Sequence, residues 1–95
     1  MIDLLIIQEI IEQIFKVNSI NKVSNRSTRK ITAIRKIYVK FAKESTEHTY
    51  REIGIFIGLN YPYILKTYHQ QANKMVNEPY YKNKYNRLET ALNQA

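Results

Sequence analysis

The chain has 95 residues, with fifteen Lys and Arg against eight Asp and Glu, a formal charge of +7. That length holds one domain with a modest core, and the charge excess points to a polyanionic partner, the alternative being a merely basic soluble protein. The absence of cysteine excludes disulfides, thiolate metal sites and cysteine nucleophiles, and only two glycines and two prolines suit long helices with few turns.

The first expected helix runs from about Ile2 to Lys16. Leu4, Ile6, Ile7, Ile10, Ile11, Ile14 and Phe15 share one broad arc, and Gln8, Glu9, Glu12, Gln13 and Lys16 lie opposite. The arc reads as a packed core face, with a dimer seam as the second reading. It does not read as a targeting or membrane segment. Asp3, Glu9 and Glu12 interrupt it, no basic residue precedes the apolar run, and it is too short to span a bilayer. A cytoplasmic chain is expected.

From Gln13 to Lys43 there is no acidic residue, while Lys16, Lys22, Arg26, Arg29, Lys30, Arg35, Lys36, Lys40 and Lys43 all fall there. Asn18 to Lys30 mixes cations with Ser, Thr and Asn and carries no helical apolar pattern. It reads as an exposed basic loop, with Ile20 and Val23 as anchors of a short turn. A helix from about Thr32 to Glu44 follows, with Ile34, Ile37, Tyr38 and Phe41 on one face and Arg35, Lys36, Lys40 and Lys43 elsewhere. Its apolar face should meet Ile53 and Phe56 or Ile57 of the next helix.

That next helix spans about Tyr50 to Ile57. Thr49 is placed to cap it, with Glu52 completing a capping box. Gly58 supplies the positive φ that ends it, and Leu59 and Asn60 complete a three-residue turn. A second helix opens near Tyr61, with Pro62 early, where its missing N–H costs nothing. This is the pattern of a helix-turn-helix, whose second helix (about 61–76) can enter a major groove. Ile64 or Leu65, Tyr68, Ala72, Met75 and Val76 should face inward, leaving Tyr63, Lys66, Thr67, Gln70 and Lys74 outward. After Asn77, Glu78 and Pro79, a last helix carries Tyr81, Tyr85, Leu88 and Leu92 at core spacing. With no strand signal, the expected class is all-α, a small five-helix bundle containing a helix-turn-helix.

The segments ITAIRKIYVKFAKEST and EHTYREIGIFIG resemble the C-terminal DNA-binding domain of the bacterial chromosomal replication initiator DnaA, a helical bundle related to the Trp repressor. The likeness covers about Ile7 to the end, and Arg35, Ala42, Lys43, Glu44, Thr46, Glu52, Ile53, Gly54 and Gly58 match the family pattern. Where that family reads its box with R-D-H-[TS]-T-V, this chain has Asn60, Tyr61, Pro62, Tyr63, Ile64 and Leu65. The family's minor-groove Arg of R-P-R is Ala33 here. The resemblance thus implies double-stranded DNA binding but not recognition of the family's usual box, and it carries over only Lys43 and, on the helix edge, Arg35. No Gly-rich phosphate loop occurs, so the chain looks like the terminal module alone, as a phage or mobile element would encode it.

On this reading Tyr61, Tyr63, Lys66 and Thr67 reach base edges and nearby phosphates, though Tyr63 could instead seal the turn. Arg26, Arg29, Lys30, Arg35 and Lys43 grip the backbone or minor groove. The expected process is replication initiation or control, or transcription regulation, on the nucleoid. The alternative is a protein-interaction module that mimics the initiator's terminal domain and binds or inhibits a replication protein, since tyrosine is enriched at protein interfaces. His48 and His69 stand apart from any carboxylate cluster, so no metal, cofactor or enzymatic role is expected.

Overall fold

The apolar arc at the start of the chain folds as α1, Leu4–Phe15, in a computed structural model. The model describes residues 3–21 and 29–93, apart from the side chains of Lys66, Thr67 and His69. Asp3 caps α1 by accepting from the Leu5 amide, and Lys16 ends it in the left-handed region at φ 58°. Leu4, Ile7, Ile11, Ile14 and Phe15 are buried as expected, but Ile6 is 43% exposed and Gln8, assigned to the opposite face, is buried. Gln8 tolerates burial because its Nε2 donates to Glu12 Oε2 (2.9 Å).

The chain then turns back over α1. Ile20 is fully buried, and its amide donates to the same Glu12 Oε2 (2.9 Å). Asn21 Nδ2 donates to Phe56 O (2.8 Å), tying this return to the third helix. Ile20 is therefore the expected anchor. Val23 lies outside the described residues.

The second helix, α2, is Arg29–Ser45. It starts three residues before the expected Thr32, so Arg29 and Lys30 belong to its first turn and not to the basic loop. Ile31, Ile34, Arg35, Ile37, Tyr38, Val39, Phe41 and Ala42 are all buried, which is more than one stripe. The excess has a simple cause: α2 is the central helix, packed by α1 on one side and on others by α3 and the later helices. Tyr38 keeps its hydroxyl satisfied there by donating to Leu4 O (3.1 Å). Desolvation, with Asp3 and Glu12 nearby, pushes its phenol well up from the ordinary range.

Thr49 and Glu52 form the expected capping box at the start of α3, Tyr50–Ile57. Thr49 Oγ1 accepts from the Glu52 amide (3.1 Å), and Glu52 Oε1 accepts from the Thr49 amide (2.9 Å). The bond from the Thr49 amide, then that with its side chain, holds the Glu52 carboxyl below the usual range. A Thr49→Ala variant should lose about 1 kcal/mol, a drop of roughly 5 °C in melting temperature. Because the folded pKa of Glu52 is depressed, its share of the box is present above the ordinary glutamate range. That share disappears as pH falls through the lowered value. Thermal melts in acid should therefore show wild type and Glu52→Gln converging, while the deficit of Thr49→Ala, whose lost bond runs from the Glu52 amide, largely persists.

The expected single helix from Tyr61 to Val76 is divided. α4 is Tyr61–Tyr63, a π-helical turn occupies Ile64–Tyr68, and α5 is His69–Met75. Among the described side chains of this run, Ile64, Tyr68 and Ala72 are the buried ones, each four residues from the next. In a regular α-helix that spacing drifts by about 80° over eight residues, away from the core. The wider π turn absorbs the drift and keeps all three inward. Finally α6, Pro79–Asn93, buries Tyr85, Leu88 and Leu92, with Tyr81 half-buried. Tyr85 meets Phe41 edge-on at 5.4 Å, and its hydroxyl donates to Glu44 Oε2 (2.7 Å).

Every described element is helical, and one buried cluster reaches from α1 to α6. Among the described residues no helix is long and apolar enough to cross a membrane.

Candidate nucleic-acid interface

Gly58 ends α3 at φ 86°, ψ 29°, the left-handed conformation that favours glycine. The Gly58 and Leu59 amides both donate to Gly54 O (2.8 and 2.7 Å), folding the chain back across α3. A Cβ built on Gly54 would stand 2.7 Å from Leu59 O and 2.7 Å from Ile64 Cδ1. The glycine at 54 thus sets how closely α3, the turn and the following helix meet.

Beyond the turn the chain runs along the surface. No side chain of α4 is buried, Tyr63 is 50% and Leu65 39% exposed, and only Ile64 between them enters the core. Pro62 sits in the first turn, as expected. Tyr61 is half-buried beneath the Arg51 guanidinium, 5.0 Å above its ring. Tyr63 meets Tyr68 edge-on at 4.9 Å, and Lys36 Nζ lies 5.8 Å from the centre of the Tyr68 ring. Tyr63 therefore packs on a buried ring, as a residue sealing the turn would, while half its surface stays exposed. Burial, then the neighbouring Tyr63, push the Tyr68 phenol up. Lys66 and Thr67 fall on the π turn; their side chains lie outside the described ones.

The cations divide into groups. Lys43, half-buried at the end of α2, holds its Nζ 5.2 Å from the Tyr50 ring at the start of α3. Arg29 and Lys30 are exposed at the opposite end of α2, about 20 Å away along the helix axis. Arg26 lies outside the described residues. Arg35 requires a correction: it is 1% exposed, and its Nε donates to Ile20 O (2.5 Å). Placed on α2 where α1's return strand of chain closes over it, the guanidinium serves the interior and is not available to a phosphate.

Two cations near the turn, Lys36 and Arg51, were not among the expected contact residues. Lys36 stands at i, i+4 and i+7 with Lys40 and Lys43, so it belongs to the basic edge expected of this helix. Arg51 had no such signal, because its partner Tyr61 is reached only across the turn. Lys40 is committed to an ion pair with Glu44, and His48 Nδ1 lies 3.6 Å from Glu52 Oε2. Among the described residues no group of three His, Asp or Glu side chains could hold a metal ion. Comparison with protein-family models, with curated proteins and with solved structures found no match.

Proposed function

We propose that the chain binds double-stranded DNA through a helix-turn-helix made of α3, the Gly58 turn and the helical run from Tyr61 to Met75, in the manner of the DnaA C-terminal module. The process served is replication initiation or control, or transcription regulation, in a phage, plasmid or bacterial host. It is a binding role, with no catalysis and no cofactor. The observation that carries it is the exposed start of that second helix, held out by a left-handed glycine. The stretch Ile53 to Asn77, which includes it, has no acidic residue to repel phosphate. Tyr61, Tyr63, Lys66 and Thr67 are the base-side residues of this reading. Arg51, Lys36 and Lys43 are its nearest backbone cations, with Arg26, Arg29 and Lys30 further out.

The experiment is anisotropy of a labelled mixed-sequence duplex against salt. With about six phosphates neutralised, log K should fall against log salt with a slope near −5. Charge reversal at Lys43 and Arg51 should lower affinity at least ~10-fold and flatten the slope by about one per lost contact. Affinity indifferent to salt and to both reversals would refute the reading.

A second reading is favoured by one observation. Ile55 is 76% exposed on α3, and Tyr63 and Leu65 are exposed after the turn, more apolar surface on the two helices than phosphate contact requires. A protein-interaction module binding a replication protein would use these side chains. Ile55→Ser should then weaken partner capture while leaving duplex affinity unchanged.

A further inference from the structure

We propose that the cleft between the end of α1 and the starts of α2 and α6 is a binding site for a small planar aromatic anion. The cleft encloses about 380 Å³, within the usual range of small-ligand sites. Its floor is apolar: Phe15 and Ile34 are buried, and Ala33 lies beside them. Its wall is aromatic. Tyr80 and Tyr81 meet edge-on at 5.0 Å, and Tyr80 leaves 56% of its surface uncovered.

The rim is cationic. Arg29 and Lys30, both exposed, line the cleft, and among the described residues no carboxylate does. Lys84 is not a lining residue but holds a third charge nearby: its Nζ lies 6.0 Å from the centre of the Phe15 ring and 5.5 Å from that of Tyr80, and donates to Ile14 O (3.5 Å). Glu78, just before α6, is not among the lining residues, but its charge reaches Tyr81 and, after burial and Tyr80, helps push that phenol up.

The occupant follows from complementarity. A flat ring would cover the exposed part of Tyr80 and rest against the apolar floor, gaining ring contact and burial. A carboxylate or phosphate at its edge would meet Arg29 and Lys30, where a bidentate guanidinium bond is possible. A cationic ligand of the same shape would be repelled by all three charges. Occupancy of the cleft does not depend on the DNA reading. One consequence does: an occupant would draw Arg29 and Lys30 away from a duplex.

The test is an amide NMR titration of the full chain with 2-naphthoate, with 2-naphthylmethylammonium as the cation of like shape and adenosine monophosphate as the nucleotide. Naphthoate should give saturable shifts at Ala33, Ile34, Tyr80 and Tyr81 with a Kd of roughly 0.1–1 mM, at least ~10-fold tighter than the ammonium compound. Tighter binding of the nucleotide than of naphthoate would assign the natural ligand to nucleotides, and weaker binding to aromatic acids. Ala33→Phe, which fills the cleft, should abolish the shifts. Should that variant not fold, the doubly neutralised Arg29→Gln/Lys30→Gln chain should bind naphthoate at least ~5-fold more weakly, with its ammonium affinity not reduced. No saturable shift up to ~5 mM, equal affinity for the two naphthyl compounds, or a double variant that binds naphthoate as wild type does would each overturn the proposal.

Discussion

Replacing Arg35 with alanine is expected to cost about 3 kcal/mol, and so to lower the melting temperature by roughly 15 °C. The side chain is among the largest wholly buried ones, and it spans from α2 to the carbonyl of Ile20. Its removal leaves both a void and a carbonyl that has lost a charged donor, and neither α1 nor the Ile20 return can collapse far into the gap. Burial lowers the Arg35 pKa from its ordinary value, but a guanidinium remains charged throughout the usable pH range.

Arg35→Met separates the two contributions. Methionine retains much of the volume and gives up the charge and the bond, so it should lose only about 1 kcal/mol. Urea titrations of the three proteins should show the midpoints in the order wild type, methionine, alanine, with similar slopes. The same variants bear on function. If Arg35 acted at a phosphate, Arg35→Met would weaken duplex binding in the folded state. Its position within the core predicts unchanged affinity.

Gly54→Ala should cost about 2–3 kcal/mol, and Gly54→Val more. The added carbon would meet a backbone oxygen, Leu59 O, and the tip of a fully buried side chain, Ile64 Cδ1. The side chain could rotate away, but the carbonyl moves only if the turn moves. That turn is held by two amides on Gly54 O, so relieving the contact opens the angle between α3 and the following helix. Gly58→Ala is the control. It strains only its own left-handed φ of 86° and should cost about 1 kcal/mol. On the proposed function the two part further. Gly54→Ala should reduce duplex affinity even where the protein remains folded, because the exposed tip is displaced. Gly58→Ala should reduce stability with little effect on affinity. Equal effects on stability would mean that the close approach at Gly54 is not tight.

Much of the local architecture was legible in the residues. The Thr49–Glu52 box, the glycine stop at 58, Pro62 in a first turn and the inward set of the last helix all rest on interactions within a few residues, where side-chain chemistry and φ decide the outcome. The start of α2 at Arg29 was missed because Ser, Thr, Asn and cations carry no apolar period, so propensity had nothing to oppose. The π turn was missed for another reason: it corrects a drift that matters only once Ile64, Tyr68 and Ala72 share one core.

By itself, then, the sequence determined an all-helical chain, the caps and turns that join its elements, and a cationic surface poor in acids. Only the tertiary structure decided which cations face water. A helix enclosed by neighbours on several sides buries residues that its own periodicity places outside, and Arg35 on α2 is the case in point. Long-range packing likewise set Arg51 over Tyr61 and gathered Phe15, Arg29, Lys30 and Tyr80 around one cleft, since those partners are far apart along the chain and meet only when the core closes.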